Sequence, residues 1–108
     1  MASNQEFVEF VADQLRDAGS IRYLKMFGEY GLYCNGKFFA VILENQLFIK
    51  VTDKVKAMYP KLPIVHRYGA GNHFLIEDIE NRELLRMLVT ATCDALPDLK
   101  PKKRKMKN

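Results

Sequence analysis

The dipeptide Asn35-Gly36 constrains this chain more than any other feature of its sequence. Asparagine and glycine tolerate positive φ at both central positions of a type I′ turn, the turn whose twist matches two antiparallel strands. Residues 30–34 and 37–43 on either side are rich in aromatic and β-branched side chains, so the segment reads as a β-hairpin. A two-residue turn also sets register, placing Tyr33 opposite Phe38 and Leu32 opposite Phe39.

A second turn over residues 44–46 leads into Leu47-Phe48-Ile49-Lys50-Val51 and extends the hairpin to a three-stranded meander. Before it, Ser3 followed by Glu6 has the spacing of a capping box. The helix it opens carries Phe7, Val11, Gln14, Leu15 and Ala18 on one stripe, flanked by Val8 and Phe10, and Gly19 reads as its left-handed stop. Residues 20–27 hold Ile21, Tyr23 and Met26 without clean periodicity, which fits either a short strand or an extended connector. After the meander, Asp53 caps a helix over residues 54–59 that Pro60 and Pro63 terminate. Residues 64–68 and 73–77 read as two further strands around Gly69-Ala70-Gly71-Asn72. Residues 80–96 read as a helix with Leu84, Leu85, Leu88, Val89, Thr92 and Leu96 on its buried stripe and Asp78 or Glu80 near its positive end. The expected fold class is α+β: an antiparallel sheet in the order α-β3-α-β2-α, one domain over residues 1–97, and a basic, disordered tail over residues 98–108.

With both turns two residues long, Phe38, Ala40, Ile42, Leu47, Ile49 and Val51 share one face of the meander and form a core. The other face then carries Tyr30, Leu32, Cys34, Phe39, Val41, Leu43 and Phe48, with Lys50 the only charge. A sheet wetted on one side alternates apolar with polar residues, so this second face is expected to meet protein. Three helices can cover both faces of a small sheet, or the second face meets a partner or a second copy. The interface expectation names Tyr30, Leu32, Phe39, Val41 and Phe48.

Charge and composition narrow the function classes. The chain holds 17 Lys and Arg against 13 Asp and Glu, but residues 98–108 account for the excess through Lys100, Lys102, Lys103, Arg104, Lys105 and Lys107 against Asp98 alone. The remaining 97 residues hold 11 basic and 12 acidic side chains and are close to neutral. Nucleic-acid contact is therefore expected, if anywhere, from those six tail residues, as a nonspecific and salt-sensitive phosphate affinity. The longest apolar run, residues 38–43, is far shorter than the roughly 20 residues of a membrane-spanning helix. The first residues have neither a basic opening nor an apolar stretch, and Cys34 and Cys93 are too few for a disulfide framework. The expectation is a cytoplasmic protein with two reduced thiols.

Candidate chemistry is thin. His66 and His73 flank the glycine-containing turn and face each other if their strands pair, which makes that turn the one place where a small enzyme site is weighed. Two histidines fall short of a metal site, and Cys34 and Cys93 supply no closely spaced pair to complete one. Gly69-Ala70-Gly71-Asn72 leads into a strand rather than a helix N-terminus, so it fails as a phosphate loop. The sheet aromatics are too embedded among apolar neighbours and too poor in flanking basic residues for a single-strand RNA platform. No catalytic residue, metal or cofactor is expected.

The run Met26-Phe27-Gly28-Glu29-Tyr30-Gly31-Leu32-Tyr33, followed by Asn35-Gly36-Lys37, Phe39-Ala40-Val41-Ile42 and Leu47-Phe48-Ile49-Lys50-Val51, resembles the N-terminal domain of the TfoX/Sxy family. The resemblance covers roughly residues 4–96. It implies an α+β domain grouped with secretion-chaperone-like folds, and an association with bacterial competence, where longer members act as transcriptional coregulators. Those members add a helical C-terminal domain, and here a lysine-rich tail follows instead. The motif carries no catalytic residue. The resulting expectation is a protein-binding regulatory module without enzymatic activity, acting through a protein partner or as a homodimer.

Overall fold

The computed structural model describes residues 5–26, 29–67 and 71–96. Ser3, Gly28, the Tyr68-Gly69-Ala70 stretch and the basic tail lie outside the described residues. The chain runs α1 (Gln5–Gln14), a single 3-10 turn (Arg16–Ala18), β1 (Ile21–Met26), β2 (Glu29–Cys34), β3 (Lys37–Leu43), β4 (Gln46–Lys50), α2 (Asp53–Met58), β5 (Ile64–Arg67), β6 (Gly71–Ile76) and α3 (Arg82–Ala95). This is an α+β fold. Four strands rather than three precede α2, because the segment that reads as strand or connector is the edge strand β1. The six strands form one sheet in the order β1-β2-β3-β4-β6-β5, with every neighbouring pair antiparallel.

Both turns of the meander are two-residue turns with positive φ throughout: 52° and 84° at Asn35-Gly36, 53° and 59° at Glu44-Asn45. Tyr33 lies opposite Phe38 as expected, but Leu32 lies opposite Ala40, with a register shift between Leu32 and Tyr33. A β-bulge at Phe39 causes the shift. Its consequence is large, since one extra residue exchanges the two faces beyond it. Tyr30, Leu32 and Cys34 turn to the same side as Ala40, Ile42, Leu47 and Ile49, and Phe39 is buried among them. Phe38 turns the other way, towards Tyr33, with ring centroids 5.3 Å apart.

All three helices pack on this first face. Val8 and Val11 of α1, Val55 of α2, and Leu85, Leu88 and Val89 of α3 join one cluster with Leu32, Phe39, Ile42, Leu47, Ile49 and Phe74. The periodicity of α1 and α3 accounts for this, although Phe10 is exposed rather than flanking the buried stripe. Helix α2 is capped by Thr52, whose Oγ1 accepts from Val55 N at 3.3 Å, and α3 by Asn81, whose Oδ1 accepts from Leu84 N at 3.1 Å. Thr52 takes the place of the expected Asp53 cap, because a cap sits just outside the helix and Asp53 lies in its first turn, whereas Asp78 and Glu80 stand just before α3, near its positive end as expected. The buried Gln14 is satisfied: its Nε2 donates to Ile79 O at 3.0 Å, and its Oε1 accepts from Arg82 at 3.2 Å. Lys37 Nζ donates to Cys93 O and Leu96 O at 2.8 and 3.1 Å, tying the hairpin to the carbonyl end of α3. A cation there also complements the helix dipole.

Candidate functional site

The second face of the sheet closes on itself. Glu29 opens β2 and Arg67 ends β5, with three strands between them. In a flat sheet those four interstrand steps alone span roughly 19 Å, yet Arg67 Nη2 donates to both carboxylate oxygens of Glu29 at 3.1 Å. The sheet is therefore strongly coiled and concave on this side, the amplified outcome of ordinary strand twist. The guanidinium also lies 5.6 Å from the centre of the Phe48 ring, so the ion pair straps the concavity over Phe48, 8% exposed, beside its cross-strand partner Val41, 3% exposed.

This corrects the expected interface. Tyr30, Leu32 and Phe39 lie under the helices, Phe48 lies under the strap and Val41 beside it, so all five are buried within the chain itself. The apolar second face has a partner, and the partner is the sheet's own curvature.

Two polar groups share the concavity with the strap. Lys50 Nζ stands 4.5 Å above the Phe38 ring, and burial lowers its pKa. His73 pairs with Lys50 across the strands and is buried. Burial lowers its pKa first, and the Arg67 and Lys50 charges add to this, while a hydrogen-bonding contact with Gly71 O at 3.4 Å and the Glu29 charge oppose it. His73 thus folds in its neutral form more readily than an imidazole in water. A depressed folded pKa means that its contribution to stability is whole above the ordinary value of 6.5 and is lost as pH falls through the folded value. Chemical melts from pH 7.5 to 5 are expected to show this loss in the wild type and a flatter profile in His73→Gln. Parallel profiles would contradict it.

His66 does not join His73. Its register partner is Asn72, while His73 pairs with Val65, so strand alternation sends the two rings to opposite faces. His66 is exposed, with Nδ1 3.1 Å from Asn72 Oδ1. The thiols are likewise unsuited to nucleophilic work. Cys34 and Cys93 are both buried, and burial, followed by the neighbouring Cys34, pushes the Cys93 thiol up to about 12. A thiol held that high stays protonated at neutral pH, and the thiolate is the nucleophile. Among the described residues no three His, Cys, Asp or Glu side chains group as metal ligands, and no helix is long and apolar enough to cross a membrane.

An accessible feature among the described residues is the flank of β1. Among the described residues the strand is paired on one side only. Beside it opens a cavity of about 490 Å³ lined by Ser20, Arg22, Leu24, Tyr33, Asn35 and Gly36. Leu24 projects there half-exposed, at 50%. Arg22 is exposed, and among the described residues no hydrogen bond or ion pair engages its side chain. Residues 20–27 read as either a short strand or a connector because Ile21-Arg22-Tyr23-Leu24 breaks simple alternation, so no site is expected at Arg22 and Leu24. The available signal was charge, since residues 20–26 contain Arg22 and Lys25 and no acid.

Fold and site together define a small α+β domain whose helices stack on one face of a coiled antiparallel sheet and whose open feature is a sheet edge. The family model described as "TfoX N-terminal domain" matches residues 13–94, and the chain belongs to that family. It is also 33% identical over 109 residues to an "Uncharacterized 12.7 kDa protein in trpE 5'region" of Spirochaeta aurantia, a match spanning 99% of this chain and 95% of that protein.

Proposed function

We propose that this chain is a non-enzymatic, protein-binding regulatory module, working in transcriptional or competence regulation and docking its partner at the β1 flank. Membership of the TfoX N-terminal domain family supports a regulatory role. The observation that carries the docking reading is the half-exposed Leu24 beside an open cavity on an unpaired edge strand. An exposed apolar side chain in a concavity is what a partner's anchor residue fills, and a free edge supplies the polar contacts around it.

The test replaces Leu24 with a photoreactive phenylalanine analogue and irradiates cells that express the chain natively. A discrete covalent adduct with one other polypeptide, absent when the same residue replaces exposed Met58 on α2, is the expected result. Equal, diffuse labelling from both positions would remove the docking assignment.

A further inference from the structure

We infer that the β1 edge accepts, by strand addition, an extended segment of another protein that carries acidic residues beside an apolar anchor. This rests on the docking reading above and names the partner's chemistry.

The backbone comes first. Asn35 N donates to Ser20 O at 2.9 Å, in register with the β1–β2 ladder. In an antiparallel pair, hydrogen-bonded and non-hydrogen-bonded residues alternate. Arg22 and Leu24 therefore bond inward to Tyr33 and Gly31, whereas Ile21, Tyr23 and Lys25 direct their N–H and C=O groups outward. No hydrogen bond among the described residues uses those outward groups. Three successive outward residues are a template for one added strand. The sheet's other edge, β5, is four residues long and begins directly after Pro63, a poorer template.

Charge then selects the occupant. The strand carries Arg22 on the cavity side and Lys25 on the helix side, both exposed, with no acid in residues 20–26. Glu9 of α1 approaches the strand only through Tyr23 Oη, at 3.4 Å. A second copy pairing β1 with β1 brings four positive charges to one seam, and like charges across strands destabilise. The chain's own residues 98–108 are basic and suffer the same repulsion. An acidic strand meets no such penalty, and basic edge residues are a common guard against self-association. In antiparallel addition, the residue opposite Leu24 fills the cavity, the one before it meets Lys25, and the second one after it meets Arg22. The pattern is acid, apolar, any, acid.

The probe is an acetylated and amidated heptapeptide with leucine at its third position, glutamates at its second and fifth, and threonine elsewhere. Its twin has lysines in place of both glutamates. Amide hydrogen exchange on the full chain is expected to slow at Ile21, Tyr23 and Lys25 with the glutamate peptide and not with its twin. Arg22→Glu should weaken glutamate-peptide binding roughly tenfold, removing one attraction and adding one repulsion. It should improve binding of the lysine peptide. Lys25→Pro deletes an outward N–H that the fold does not use, so it should leave the melting curve near wild type while abolishing protection. Unchanged exchange at those three amides overturns the inference, as does protection by both peptides alike. So does protection of the same amides in a dimer of the chain alone. If the photoreactive residue at Leu24 still captures a partner when the peptide leaves the edge amides untouched, docking stands and strand addition falls.

Discussion

Phe39→Ala is expected to destabilise the protein by about 3–5 kcal/mol, the range for deleting a buried aromatic ring, while Phe38→Ala, one residue away, costs about 1–2 kcal/mol, a ring contact plus part of a ring's burial. Phe39 is fully buried in the helix-covered core. Phe38 is half-buried on the other face, where its ring meets the Tyr33 ring and the Lys50 ammonium. Small domains have only about 5–15 kcal/mol in total, so the first variant is near the limit of folding and the second is not. Urea melts of the pair measure the difference directly. Equal costs, or the reverse order, would mean that β2 and β3 pair without a bulge and that the two faces of the sheet are assigned the wrong way round. The result therefore bears on the site as well as on stability, because the bulge is what removes Tyr30 and Leu32 from the second face.

That same bulge marks where the sequence stops being readable. The Asn35-Gly36 turn is local, and its two residues announce their own conformation, so the hairpin and its Tyr33–Phe38 pair are legible without coordinates. Helix α3 is legible because apolar residues at helical spacing admit one burial direction. In Phe38-Phe39-Ala40-Val41-Ile42 every residue is apolar, so nothing in the side chains reports which of them is the extra one. Parity is lost at that point, and the expected faces of β2 invert with it. The strap between Glu29 and Arg67 joins residues 38 apart across three intervening strands, a contact set by cumulative twist rather than by any local pattern. An apolar second face consequently looked like an interface, whereas coiling buries Val41 and Phe48 without help. Strand β1 escaped for the converse reason: its alternation is broken by the half-exposed Leu24, the residue that now anchors the docking reading.

Gly19→Ala is the other large effect, expected at about 3 kcal/mol or more from two independent causes. Gly19 follows the 3-10 turn with φ 152° and ψ −164°, a region open essentially to glycine alone and worth about 1–3 kcal/mol of strain to any other residue. It is not the left-handed helix stop that its position suggests. A Cβ there also meets Cys34 Sγ at 2.9 Å and the Asn35 side-chain amide at 3.1 and 3.2 Å, and overpacking of that kind adds about 1–3 kcal/mol. Neither neighbour yields easily. Cys34 is buried against Ala18 O, and Asn35 Oδ1 accepts from Ser20 N at 3.0 Å, the bond that seats the first residue before β1. The clash therefore transmits to the start of the edge strand, so the variant should unfold earlier and exchange its Ser20 and Asn35 amides faster than the rest of the sheet. Adding Cys34→Ala removes the closest of these contacts and leaves the Asn35 contacts and the conformational part, so the double variant should be more stable than the sum of the two single losses allows. An alanine variant within 0.5 kcal/mol of wild type, about the scatter of ordinary surface substitutions, would show that the chain can enter β1 by another backbone path.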